Sequence, residues 1–171
     1  MITTEHCQLM ARYNEWMNSR LYAVCSGMPD AELHKDRGAF FKSIYLTLNH
    51  LAYGDLAFLS RFTGTPAIVP EPGVDLFESF TRLRAEREAL DARLQAWSAS
   101  ITPQWLAEPL TYTSKIDGKT RTVQKWVLVT HMFNHQTHHR GQVTTLLSQM
   151  GVDVGSTDIP FMPEFEAHAR V

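Results

Sequence analysis

The chain has no run approaching the roughly 18 consecutive apolar residues of a membrane span, so no membrane role is expected. It has no excess of one charge either. Sixteen Lys and Arg against eighteen Asp and Glu are spread along 171 residues, without the basic stripe a nucleic-acid binder needs. The opening Met1-Ile-Thr-Thr-Glu-His lacks a charged region followed by an apolar one. No secretory signal is therefore expected, and a cytoplasmic location follows. Phosphate-cradling glycine motifs and an HExxH zinc signature are missing as well. Only two cysteines are present, Cys7 and Cys25, eighteen positions apart in one expected helix. Helical rise separates them by about 27 Å, so they cannot pair, and they read as small core residues.

What the chain has in quantity is histidine. Four of its eight histidines fall within the nine residues from His131 to His139. Elsewhere the composition is that of a globular protein of one domain, residues 1–171, long enough to bury a core.

Periodicity predicts four long helices. The first, about Thr3 to Met28, can be capped by Thr3 or Thr4, carries Leu9, Tyr13, Trp16, Met17, Leu21 and Val24 at helical spacing, and ends at Gly27 and Pro29. A polar connector follows through Gly38. The second helix is Ser43 to Phe62, closed by Gly64 and Pro66. Prolines and glycines over residues 63–73 predict a crossing loop. Asp75 can cap a third helix to about Ser98, with Phe77, Phe80, Leu83, Leu90, Leu94 and Trp97 buried and Arg82, Arg84, Glu86, Arg87, Glu88, Asp91 and Arg93 on a solvated face. Residues 110–124 alternate β-formers around Asp117-Gly118, a hairpin signal. A fourth helix runs from about Val123 to Met150. The tail is loop-like, with a short last helix from Glu164. The fold class is all-α: a four-helix bundle with a long crossing loop and a small β-hairpin-like insertion before the last long helix.

The fourth helix reads His131-Met-Phe-Asn-His135-Gln-Thr-His138-His139-Arg-Gly-Gln. Histidines four apart share a helical face and can reach one ion, and several pairs here satisfy that spacing. A helical wheel separates them. His135 and His139 lie on the arc of Leu128, Met132, Val143 and Leu146, which faces the core. His131 and His138 fall to the side, at the surface or behind the ligands. Two donors do not close a site, since catalytic ions take about three protein ligands plus water. His50 supplies the third donor from the second helix, with the small Gly54 and Ala57 on its side. Asp55 lies well round the wheel, Glu5 is near a terminus, and His6, His34 and His168 read as exposed. A Cys/His nucleophile would need Cys7 or Cys25 beside these histidines, which nothing requires. No catalytic residue is assigned.

The chain resembles the DinB-like superfamily of metal-binding four-helix proteins, which includes the DinB/YfiT-type thiol transferases. The resemblance spans nearly the whole chain. It rests on Tyr13-Asn14-Glu-Trp16-Met-Asn18, on Asn49-His50-Leu and, most specifically, on His135-Gln-Thr-His-His139-Arg140-Gly141-Gln142. It implies a divalent metal, nickel or zinc, held by His50, His135 and His139, and often a homodimer. It further implies a low-molecular-weight thiol as cosubstrate and a small-molecule electrophile, in a transferase- or hydrolase-type reaction. A non-catalytic metal-binding or stress-response protein is the alternative. Asn134, Gln136 and Gln142 are candidates to hydrogen-bond ring nitrogens. Arg140 is expected to pair with a carboxylate of the third helix rather than with an anionic substrate.

Overall fold

The computed structural model describes residues 1–66, 75–115 and 117–166. Its long helices are α1 (Thr4–Ser26), α3 (Ile44–Thr63), α4 (Phe80–Ser100) and α6 (Lys125–Gln149). Between them lie the short α2 (Asp30–His34) and α5 (Pro103–Ala107), and a hairpin of β1 (Pro109–Thr113) and β2 (Thr120–Gln124). A 3-10 turn, Ile159–Phe161, and α7 (Pro163–Glu166) end the described chain. The four-helix bundle, the hairpin and the short last helix match the sequence reading. The expected crossing loop falls largely on residues 67–74, outside the described residues, and so does His168.

Side-chain pairs give the helix directions. Along α1 and α4, Ser26 meets Arg84, Asn18 meets Asp91 and Glu15 meets Gln95, an antiparallel pair. Asp55 meets Arg87 and Phe62 stacks on Trp97, so α3 and α4 run parallel. His50 meets His135 while Phe58 meets His131, so α3 and α6 are antiparallel. The order is up, down, down, up. Parallel neighbours cannot be joined by a tight turn, which is why about sixteen residues separate α3 from α4.

Helix ends follow capping chemistry. The hydroxyls of Thr3, Ser43 and Ser79 accept from the backbone N–H groups of His6, Leu46 and Arg82. The third helix therefore begins at Phe80 rather than behind Asp75. The reason lies in α3, where the buried Asn49 accepts from the N–H groups of both Leu76 and Phe77 at 3.1 Å. Those two donors are taken, so the segment stays irregular until Ser79. Tyr45 adds a hydroxyl bond to the Phe77 carbonyl.

Two apolar clusters fill the bundle. One joins Cys7, Phe62, Leu94, Trp97 and Met132. The other joins Leu21, Tyr45, Leu48, Leu83 and Val143. Both cysteines are buried and free, and burial pushes their thiols up to about 11 for Cys7 and about 12 for Cys25. Neither is set up as a nucleophile. No helix among the described residues is long and apolar enough to cross a membrane.

The expected solvated face of α4 needs correction. Arg87 and Asp91 are buried, at 1% and 4% exposure. Arg87 donates to Asp55 Oδ2 at 2.8 Å and to Asp91 Oδ1 at 2.7 Å. Asn18 donates to both oxygens of Asp91 at 3.0 and 3.2 Å, and Asn14 to Oδ1 at 3.4 Å. Arg140, also buried, donates to Asn14 Oδ1 and to Gln136 Oε1. Among the described residues it forms no ion pair with a carboxylate of α4, contrary to expectation. It reaches Asp91 only through Asn14, and its guanidinium lies over the Tyr13 ring at 5.2 Å. Two cations and two anions thus share one interior network spanning all four long helices.

Candidate metal centre

His50 sits in the second turn of α3, and His135 and His139 sit one turn apart on α6. The antiparallel contact of these helices brings the three rings together across 85 residues of sequence. One ring nitrogen from each lies within 4.8 Å of the other two. The ring centroids are 4.8 Å apart for His50–His135, 4.7 Å for His50–His139 and 4.4 Å for His135–His139. His139 is buried, whereas His50 and His135 are partly open to solvent.

Close approach of α3 and α6 depends on Gly54. A β-carbon at that position would stand 2.9 Å from Cε1 of His135, inside any ordinary contact. Beside the site, the buried Gln136 amide donates to the Leu51 carbonyl at 3.1 Å. That bond ties together the residues that follow His135 and His50. Gln136 therefore clamps the two helices, and its hydrogen bonds among the described residues go to Leu51 and Arg140 rather than to an imidazole. Gln142 does meet a ring: its Oε1 lies 2.7 Å from His139 Nδ1. The amide oxygen can only accept, so Nδ1 of a neutral His139 carries the proton and Nε2 keeps its lone pair. Asn134 is exposed.

The electrostatics favour neutral rings. Burial, with the neighbouring His139, holds His50 down at about 4. Burial and the surrounding histidines hold His135 down at about 3. Burial also lowers His139, against the opposing bond from Gln142. Three unprotonated imidazoles at neutral pH are what a divalent ion requires of its ligands. His50 Nε2 and His135 Nε2 lie 2.9 Å apart, at hydrogen-bond distance and slightly closer than the roughly 3–4 Å between nitrogens on one ion with metal–nitrogen distances of about 2.0–2.1 Å, so a small parting of the two rings would admit an ion. Nitrogen donors without a carboxylate suit a borderline ion such as zinc or nickel better than magnesium or calcium.

His131 and His138 are exposed, as the wheel expects. His131 packs between Phe58 (5.3 Å) and His135 (5.9 Å), and His138 lies 4.8 Å from His139. His6 and His34 are exposed too. A residue missed in the sequence is Phe41. Its ring stacks on His50 at 3.9 Å between centroids and 24° between planes, and meets His139 at 5.3 Å. It precedes α3 in an irregular segment, where no periodicity could reveal it.

Two comparisons with known proteins bear on this arrangement. The chain is 26% identical over 149 residues to Protein DinB of Bacillus subtilis (strain 168), covering 85% of this chain and 87% of that protein. The family model described as DinB family matches residues 1–170. The match includes all four long helices and every histidine of the cluster, and the chain belongs to the DinB family.

Proposed function

We propose that this protein holds one divalent metal ion, nickel or zinc, through His50, His135 and His139 and uses it enzymatically on a small-molecule electrophile. The observation that carries the reading is the convergence of three neutral ring nitrogens, from two different helices, within 4.8 Å. When bound, such an ion lowers the pKa of a thiol or water at its remaining coordination position and so supplies an anionic nucleophile. The family resemblance favours a low-molecular-weight thiol in that place and a transferase-type reaction.

The chain's own residues prepare the donors. Gln142 holds His139 in one tautomer. Gly54 admits the His135 ring against α3. Gln136 fastens α6 to the backbone beside His50. With no carboxylate among the three ligands, the loaded site carries net positive charge, which favours an anionic fourth ligand. Membership of a family whose members are often dimers supports a homodimer.

Elemental analysis of tag-free protein tests the metal: one equivalent is expected in the wild type and none in His50→Ala. Absence of metal from both refutes the site. A panel of thiols and electrophiles then tests catalysis, with turnover expected in the wild type and lost in a folded His139→Ala. A metal-loaded protein without turnover on any pair would favour the non-catalytic, stress-response reading.

A further inference from the structure

The segment between α2 and α3 breaks local rules at three adjacent positions. Lys42 N–H donates to the Ala39 carbonyl at 2.8 Å, and Arg37 N–H to the Lys42 carbonyl at 2.8 Å. Residues 39–42 therefore form a tight turn with Phe40 and Phe41 at its corners. Such corners are the usual place of Gly, Pro, Asn and Asp, each for a conformational reason that phenylalanine does not share. Lys42 then takes φ 64°, the only non-glycine residue with positive φ among the described residues. The turn is pinned, because Ser43 directly behind it is fully buried and caps α3. The left-handed backbone at Lys42 is the kind of departure that clusters at functional sites.

Its result is an aromatic wall over the histidines. Phe41 lies flat on His50 and edge-on to His139. Phe40 meets Phe41 edge-on at 4.8 Å and is itself 82% exposed, the most exposed large apolar side chain among the described residues. The apolar surface thus runs without a break from the imidazole cluster out to solvent. The nearby guanidinium of Arg140 is buried and turned to Asn14 and Gln136, so it offers no anchor for an anionic substrate.

Resting on the metal reading above, we infer that Phe40 and Phe41 are the specificity-determining residues of this centre, selecting a ligand whose donor atom is carried on an apolar, preferably aromatic, body. The test uses cobalt(II)-loaded protein titrated with benzyl mercaptan and with 2-mercaptoethanol, followed by the thiolate-to-cobalt absorption band. The wild type is expected to bind benzyl mercaptan at least about tenfold more tightly, about 1.4 kcal/mol. Phe41→Ala should reduce that ratio to about threefold or less, with Phe40→Ala in between. Phe40→Ala keeps the test secure against misfolding, since that ring is exposed. An equal affinity for both thiols in the wild type overturns the wall. So does a preference that survives in both variants. Failure of the wild type to bind cobalt overturns the metal reading itself, and the wall with it.

Discussion

Two polar clusters lie in this bundle a few residues apart, and they are built on opposite plans. Around Arg87, two guanidiniums and two carboxylates neutralise one another, with Asn14, Asn18 and Gln136 filling in further hydrogen bonds. Around His135, three imidazoles converge with no carboxylate among the described residues paired to them, and burial together with neighbouring histidines favours the unprotonated form of each. The first cluster is complete in charge within the protein. The second is complete only in lone pairs. Charges that compensate one another hold helices in register, whereas uncompensated donors invite an ion. The clusters touch at Gln136, which accepts from Arg140 and donates to the backbone beside His50.

The largest effect is expected from breaking the first plan. Arg87→Ala strands Asp55 and Asp91 without their cation, and a loss of about 3–5 kcal/mol is expected in urea unfolding. A loss under 1 kcal/mol would mean that the network is not a structural unit. Breaking the second plan should do the reverse. In Gly54→Ala the new β-carbon displaces the His135 ring, so metal affinity should fall by about 100-fold, or about 2.7 kcal/mol. Stability should shift by no more than about 1 kcal/mol, because alanine's better helix propensity offsets part of the clash. Isothermal titration and denaturant unfolding on one preparation separate the two readouts.

Protons should distinguish the clusters as well. His50 and His135 sit at about 4 and about 3, below the roughly 6.5 of a free imidazole. The unfolded chain therefore binds more protons than the folded one across that interval. The stability these groups contribute is present above about pH 6.5 and is lost as pH falls towards 4. Thermal unfolding of chelator-treated protein should show Tm dropping from pH 7 to pH 5, and His50→Leu should flatten the slope. An unchanged slope would place the titration elsewhere. The smallest effect belongs to the exposed pair Arg84–Glu88, at 3.0 Å on the outer face of α4. Glu88→Ala, which leaves the Arg84–Ser26 bond in place, should cost no more than about 0.5 kcal/mol, the worth of a solvent-screened i,i+4 pair. It serves as the control for Arg87, its neighbour on the same helix.

Much of the histidine site was legible because helical spacing is a local property. The wheel needs only α6 to put His135 and His139 inward and His131 and His138 outward, and burial agrees. Arg87 was legible in principle, since Leu83, Arg87, Leu90 and Leu94 keep one stripe. Its charge argued for the surface, and only partners from α1 and α3 could reverse that. Asp75 failed as a cap for the same kind of reason: Asn49, far earlier in the chain, claims the neighbouring N–H groups of Leu76 and Phe77.

The sequence by itself determined the four amphipathic helices, the hairpin around Asp117-Gly118 and the inward histidine pair of α6, because periodicity and turn chemistry act over a few residues. Tertiary structure alone decided that α3 and α4 run parallel and that Arg87 is buried. It also laid Phe41 on His50. The first two depend on groups tens of residues apart, whose meeting costs chain entropy that only the assembled core repays, and the third on the tight turn at residues 39–42 that folds Phe41 back onto α3.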